Sequence, residues 1–152
     1  MTTALIDVSN IVMTIRHGQL PKNQKNTDHG AQLIFQESVK LMCDCAKRYG
    51  ATSVLHAMEG RNNWRKEFHP AYKANREIET DLFYPEIQQA SEWLEEFFRD
   101  YTNHSVIRVD RAEADDVIAV AVQDNPEQRF AIISADRDFT QLLRDNVRLY
   151  SP

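Results

Sequence analysis

The chain has 152 residues, of which 42% are hydrophobic and 27% charged, and its net charge is −5. That length suits one domain with a substantial buried core, and with no repeat or low-complexity tract it reads as soluble and globular. Its apolar runs fall far short of the roughly 20 residues of a membrane helix. Met1-Thr-Thr-Ala enters Leu5-Ile6 with no basic n-region or cleavage site. Cys43 and Cys45, without other cysteines or a histidine cluster, exclude a zinc site and read as reduced thiols, so the expected setting is cytoplasmic.

Thr3 to Val8 reads as a buried first strand that ends at Asp7. Ser9-Asn10 is placed to cap a short apolar helix from Ile11 to Ile15. His17 to Asn26, polar and carrying Gly18 and Pro21, marks a loop. A long helix is expected from Asp28 to Tyr49, with Ala31, Phe35, Val39, Met42, Ala46 and Tyr49 toward the core and Gly50 as its C′ residue. Cys43 and Cys45 then point to different faces. Ser53 to Met58 is a second buried strand, with Glu59-Gly60 at its carboxyl end. Arg61 to Thr80 lacks periodicity and is expected to be exposed. Pro85 opens a helix that presents Ile87, Ala90, Leu94, Phe97, Phe98 and Tyr101. Val106 to Val109 is a third strand. A helix bearing Val117, Ile118, Ala121 and Val122, the strand Phe130 to Ile133 and a last strand Val147 to Tyr150 complete the chain. Strands alternating with helices predict an α/β domain with a largely parallel sheet.

In that arrangement Asp7, Glu59, Asp136 and Asp138 fall at or just after strand ends, and Glu113, Asp115 and Asp116 follow the third strand. Ligands of open α/β sheets bind at this edge. Two like charges about 4 Å apart repel by roughly 4 kcal/mol at an effective dielectric near 20, so the group calls for protonation or a cation. Oxygen-only donors point to Mg²⁺ or Mn²⁺ rather than Zn²⁺. Each acid also has a plainer reading. Asp110-Arg-Ala-Glu113 fits a capping box, Asp115 and Asp116 suit a first helical turn, and Asp136 or Asp138 can cap the next helix. These explain single acids but not their shared edge. Charge is also uneven: from Arg61 to Arg76 there are five basic residues (Arg61, Arg65, Lys66, Lys73 and Arg76) against Glu67, a pattern that suits phosphate contact or a solvated helix face.

Four segments carry a wider likeness: Leu5-Ile-Asp-Val-Ser-Asn10, Trp64 through Arg76 (WRKEFHPAYKANR), Glu113-Ala-Asp-Asp-Val-Ile-Ala119 and Ile133-Ser-Ala-Asp-Arg-Asp-Phe-Thr-Gln-Leu142. In this order they resemble the 5′-nuclease (flap endonuclease) family, which includes the 5′-nuclease domain of bacterial DNA polymerase I and bacteriophage enzymes. The resemblance implies a PIN-like α/β fold over residues 1–152 and metal-dependent phosphodiester hydrolysis at 5′ ends, flaps or, in the phage branch, RNA primers on DNA, leaving 5′-phosphates. It implies a first metal site of Asp7, Glu59, Glu113 and Asp115 with Asp116 close by, and a second served by Asp136 and Asp138, with two-ion chemistry. Residues 61–80 would match the family's helical arch and its base. Lys73 and Arg76 would contact the scissile phosphate. Tyr72 would stack on a terminal base or pack the arch onto the body, and Trp64 would be a platform or a core residue. Arg61, Arg65 and Lys66 would be backbone contacts.

Glu59 stands where many members have Asp, and Val8 replaces a common Gly. Family members continue into a helix–three-turn–helix region that grips duplex DNA and supplies a further second-site aspartate. None follows Pro152 here, so a fragment of a longer protein with weakened duplex binding is expected. The implied partners are DNA or RNA–DNA with 5′ ends or flaps, and replication proteins, for a monomer away from any membrane. Two alternatives stay open: a stand-alone PIN-type ribonuclease, and a non-catalytic nucleic-acid-binding module.

Overall fold

A computed structural model describes residues 1–72 and 84–152. The elements are β1 (Thr2–Asp7), α1 (Val8–Gly18), α2 (Asp28–Arg48), β2 (Ser53–Met58), α3 (Trp64–Phe68), α4 (Pro85–Tyr101), β3 (Ser105–Arg108), α5 (Ala114–Asp124), β4 (Arg129–Ile133) and β5 (Val147–Tyr150), with short 3-10 turns at Lys22–Gln24 and Arg137–Leu142. The strands form one sheet of order β3-β2-β1-β4-β5, and every neighbouring pair is parallel. The expected largely parallel α/β architecture is therefore present.

Side-chain alternation along β1 assigns the layers. Ala4 and Ile6 pack into the core built with α1, α2 and α4, while Leu5 faces the opposite core with Ile118, Ile132 and Phe139. Ile6, Ile11, Ile34, Leu94 and Ile118 are fully buried, each worth about 1.5–3 kcal/mol in transfer terms. Strand order reverses between β1 and β4, so the crevice of a doubly wound sheet opens at their carboxyl ends.

Several expectations shift in detail. Helix α1 starts at Val8, because the Asp7 carboxylate rather than Ser9-Asn10 supplies the cap: its Oδ1 accepts from the Asn10 N–H at 3.2 Å. The helix continues to Gly18, through the start of the expected loop. In α2 Ala31, Met42 and Ala46 are buried as expected, and Ile34, Ser38 and Cys45 join them, which widens the buried face to one side of the expected stripe. Phe35, Val39 and Tyr49 flank it half-buried, with Phe35 set edge-on to Trp93 at 6.2 Å and Phe97 at 5.8 Å. Gly50, at φ 65°, terminates α2 as expected. Cys43 is exposed and Cys45 buried, on different faces. Along α4, Phe98 is buried but Tyr101 is 74% exposed at the last helical position, stacked on Phe97.

Two polar features lock this layer. Arg16 Nε donates to Glu86 Oε1 at 2.8 Å with both side chains buried, and the guanidinium lies 3.4 Å over the Tyr84 ring, joining the last turn of α1 to the first of α4. His56 on β2 stacks on Phe98 at 3.8 Å, with Nε2 3.0 Å from His104 Nδ1. Burial, and secondly the charge of His104, push its pKa down to about 3, so it is neutral in the folded protein.

Candidate metal centre

The acidic residues occupy the carboxyl edge of the sheet in two connected sets. The first is threaded by serines. Asp7, 6% exposed at the end of β1, accepts from Ser9 Oγ at 3.1 Å and from Ser134 Oγ at 2.9 Å. Ser9 Oγ also lies 3.3 Å from Glu59 Oε1, so one hydroxyl joins the ends of β1 and β2. Ser134, just past β4, accepts from the Asp136 N–H at 3.1 Å, and Asp136 Oδ1 accepts from the Asp138 N–H at 2.9 Å. Asn10 Oδ1 accepts from the Ala135 N–H at 2.9 Å and stitches α1 to the same loop.

The second set sits at the start of α5. One carboxylate oxygen each of Glu113, Asp115 and Asp116 lies within 4.8 Å of the others. Asp116 Oδ2 accepts from the Glu113 N–H at 3.0 Å, so the capping interaction that the sequence placed at Asp110-Arg-Ala-Glu113 is one turn later. Arg65 reaches across from α3. Its Nη1 and Nη2 grip Asp116 at 2.7 and 2.6 Å, and Nη1 lies 2.9 Å from Glu113 Oε2. Tyr72 Oη donates to the same Glu113 oxygen at 3.2 Å.

Two loops hold α3 against this cluster. The Gly60 N–H donates to Ala112 O at 2.9 Å, Arg111 N–H to Arg61 O at 2.6 Å and Trp64 N–H to Arg111 O at 2.9 Å. A Cβ on Gly60 would fall 2.0 Å from Val109 O and 2.4 Å from Ala112 O, so only glycine permits the approach. Arg108 closes the crossing by pairing with Glu95 at 2.7 Å and donating to Glu59 O.

Electrostatics separate these acids. Burial raises the pKa of Asp7 against hydrogen bonds from Asn10, Ser134 and Ser9 that lower it, and Asp136 adds repulsion. Burial likewise raises that of Asp115, followed by repulsion from Glu113 and Asp116. Asp116 is held below the usual carboxylate range, chiefly by the Arg65 hydrogen bonds. Among the described residues, Asp115 Oδ1 is buried with no hydrogen-bond partner. A half-buried carboxylate beside two others, with an orphaned oxygen, fits a hard divalent cation: donors are oxygen-only and the missing partner is a positive charge.

The residues expected from sequence divide accordingly. Glu113 and Asp115 come together with Asp116; Asp7 and Glu59 join each other through Ser9 but not the trio at 4.8 Å. Both Asp116 oxygens are engaged, making it an anchor for Arg65 as well as a neighbour of the trio. Asp136 and Asp138 are exposed, with Asp136 capping the following 3-10 turn. Arg61 and Lys66 are exposed. Trp64 is 40% exposed, against a core role, and sits edge-on to Phe68. Arg65, expected at nucleic-acid backbone, is instead paired with acids of its own chain. Lys73 and Arg76 lie outside the described residues. Sequence reading missed Ser9, Asn10, Ser134, Gly60 and Arg108. A serine directly after a buried apolar strand and beside an acid was the available signal for Ser134.

A doubly wound parallel sheet whose carboxylates gather at its switch point is the layout of a cation-binding α/β domain. Residues 2–151 match the family described as 5′-3′ exonuclease, N-terminal resolvase-like domain, and the chain belongs to it. It is 30% identical over 156 residues to Ribonuclease H of Enterobacteria phage T4, covering 97% of this chain and 51% of that protein. It is 31% identical over 161 residues to the flap endonuclease Xni of Psychromonas ingrahamii, covering 98% and 56%. The chain thus spans about half the length of the curated relatives it matches. Among solved structures, the 5′-exonuclease of bacteriophage T5 with bound zinc superposes at TM-score 0.71 and 24% identity, covering 99% of this chain and 55% of that one. The T5 D15 protein co-crystallised with metal ions gives 0.69 and 23% at the same coverage. These likenesses establish the PIN-like fold.

Proposed function

We propose that the chain is the catalytic domain of a divalent-metal-dependent 5′-nuclease that hydrolyses phosphodiester bonds near 5′ ends, flaps or RNA primers on DNA and leaves 5′-phosphates. The observation that carries this reading is Asp115, whose buried oxygen lacks a partner within a carboxylate trio at the ligand edge of a 5′-exonuclease family fold. Support comes from relatives named ribonuclease H and flap endonuclease, and from a T5 flap endonuclease solved as a pseudo-enzyme–product complex with DNA and metal ions.

In this reading Glu113 and Asp115, with Asp7 and Glu59, hold a first Mg²⁺ or Mn²⁺, and Asp136 and Asp138 serve a second. Divalent ions held there would supply activation of water and neutralisation of charge at the leaving oxygen. The chain's own residues do the positioning. Ser9 and Ser134 hold Asp7 with both oxygens turned into fixed hydrogen bonds, and Tyr72 orients Glu113. Lys73 and Arg76 meet the scissile phosphate, and exposed Trp64 offers a face on which a base can stack for about 1–3 kcal/mol. Arg61 and Lys66 steer the backbone inward. The setting proposed is a cytoplasm, in the company of replication proteins; no helix of the described residues is long and apolar enough to cross a membrane.

The test is cleavage of a 5′-labelled flap and of an RNA primer on DNA. With Mg²⁺ both are cut, Asp136→Ala abolishes cutting, and Lys73→Ala lowers turnover far more than metal affinity. Equal activity in EDTA would overturn the metal mechanism. Cleavage of single-stranded RNA alone would favour a stand-alone ribonuclease.

A further inference from the structure

Among the described basic residues of its segment, Arg65 stands apart. Arg61 and Lys66 are solvent-exposed, whereas Arg65 is a quarter exposed and spends its guanidinium on two acids of the proposed metal centre. The grip on Asp116 is bidentate, the arrangement in which arginine binds a carboxylate most strongly. Glu113, its other partner, is 6% exposed at the side chain. The group is also held from behind, with its Cζ 4.7 Å from the Trp64 ring centroid and 5.8 Å from that of Tyr72. A cation so fixed, beside three carboxylates whose oxygens lie within 4.8 Å, occupies the electrostatic role of a metal ion without filling the Asp115 side of the cluster.

We propose that Arg65 is the resident counter-ion of the acidic site: a positioning residue that cancels one carboxylate charge, keeps Asp116 turned onto α3, and thereby lets the cluster fold before any divalent ion binds. Two consequences follow from Coulomb's law. The metal-free protein depends on Arg65 for stability, because without it the Asp116 carboxylate loses its bidentate cation while facing two neighbouring acids. The bound ion, in turn, is repelled by Arg65, so affinity is set below what the carboxylates alone would give. The second consequence rests on the metal-site reading; the first does not.

The experiment compares Arg65→Gln, Asp116→Asn and the double variant of the full chain. Asn at 116 keeps an acceptor for the Glu113 N–H and removes only the charge. In EDTA, Arg65→Gln should lower the melting temperature by several degrees, and adding Asp116→Asn to it should restore most of the loss. Calorimetric titration with Mn²⁺ should show Arg65→Gln binding about tenfold more tightly than wild type, about 1.4 kcal/mol. A double variant that melts at the sum of the two single losses would overturn the proposal and leave Arg65 as packing for Trp64. Unchanged or weaker Mn²⁺ binding in Arg65→Gln would overturn the affinity part. If neither protein binds Mn²⁺, the metal-site reading fails, and the melting rescue still decides whether Arg65 is the counter-ion.

Discussion

Replacing Asp115 by Asn separates what the acidic edge costs from what it does. In the metal-free protein Asp115 is half-buried, has an oxygen with no partner, and carries a raised pKa from burial and its two acidic neighbours. Two full charges 4.8 Å apart, the widest spacing within the trio, repel by about 3.5 kcal/mol at an effective dielectric near 20. Arg65 cancels much of the Asp116 charge and part of that on Glu113, which leaves about 1–2 kcal/mol to be relieved. For a domain of this size each kcal/mol moves the melting temperature by about 2–4 °C, so Asp115→Asn should melt roughly 2–8 °C higher in EDTA at pH 7.5. With millimolar Mn²⁺ the order should reverse, because the wild type gains binding energy that the variant cannot. Differential scanning calorimetry with and without the ion measures both. An Asp115→Asn protein less stable than wild type in EDTA would refute the reasoning and make Asp115 a structural acid.

Two further outcomes follow from other contacts. Because the folded pKa of His56 is lowered from 6.5 to about 3, the unfolded chain binds the proton first. Its contribution is complete above pH 6.5 and is lost as pH falls toward 3, by about 1.4 kcal/mol for each unit. Asp7 and Asp115, whose pKa values burial raises above 3.8, act in the opposite sense. Urea midpoints should therefore fall from pH 7.5 to 5.5, with a shallower slope in His56→Gln. Gly60→Ala should lower stability by about 1–3 kcal/mol, since the new Cβ meets two backbone oxygens that cannot swing aside, and a loss under 0.5 kcal/mol would contradict the close approach.

Most elements were legible because their signals are local. Pro85 and the spacing of Ile87, Ala90, Leu94 and Phe98 marked α4, and Val147 to Tyr150 is the observed β5. The shared acidic edge followed from strand ends alone once the sheet was taken as parallel. Misplacements arose where alternatives compete at one step of the chain. Asp7 and Ser9 are both good helix caps, and the tertiary fold turns the Ser9 hydroxyl to Asp7 and Glu59, leaving Asp7 to accept from the Asn10 N–H. The role of Arg65 was not legible at all. Its partner is 51 residues away, and a basic residue within a basic run looks alike whether it meets phosphate or carboxylate. Gly60 was hidden for a similar reason: its constraint lies in the carbonyls of Val109 and Ala112, not in its neighbours.

The two tryptophans have an optical consequence. Trp93 lies half-buried against Phe35 between α2 and α4, whereas Trp64 is exposed with a guanidinium over its ring. One indole therefore reads the helical layer and the other reads the acidic edge. A Trp93→Phe chain would carry a single tryptophan, beside Arg65, so that ion or nucleic-acid arrival at the carboxylates could be followed by selectively excited indole emission from the unlabelled protein.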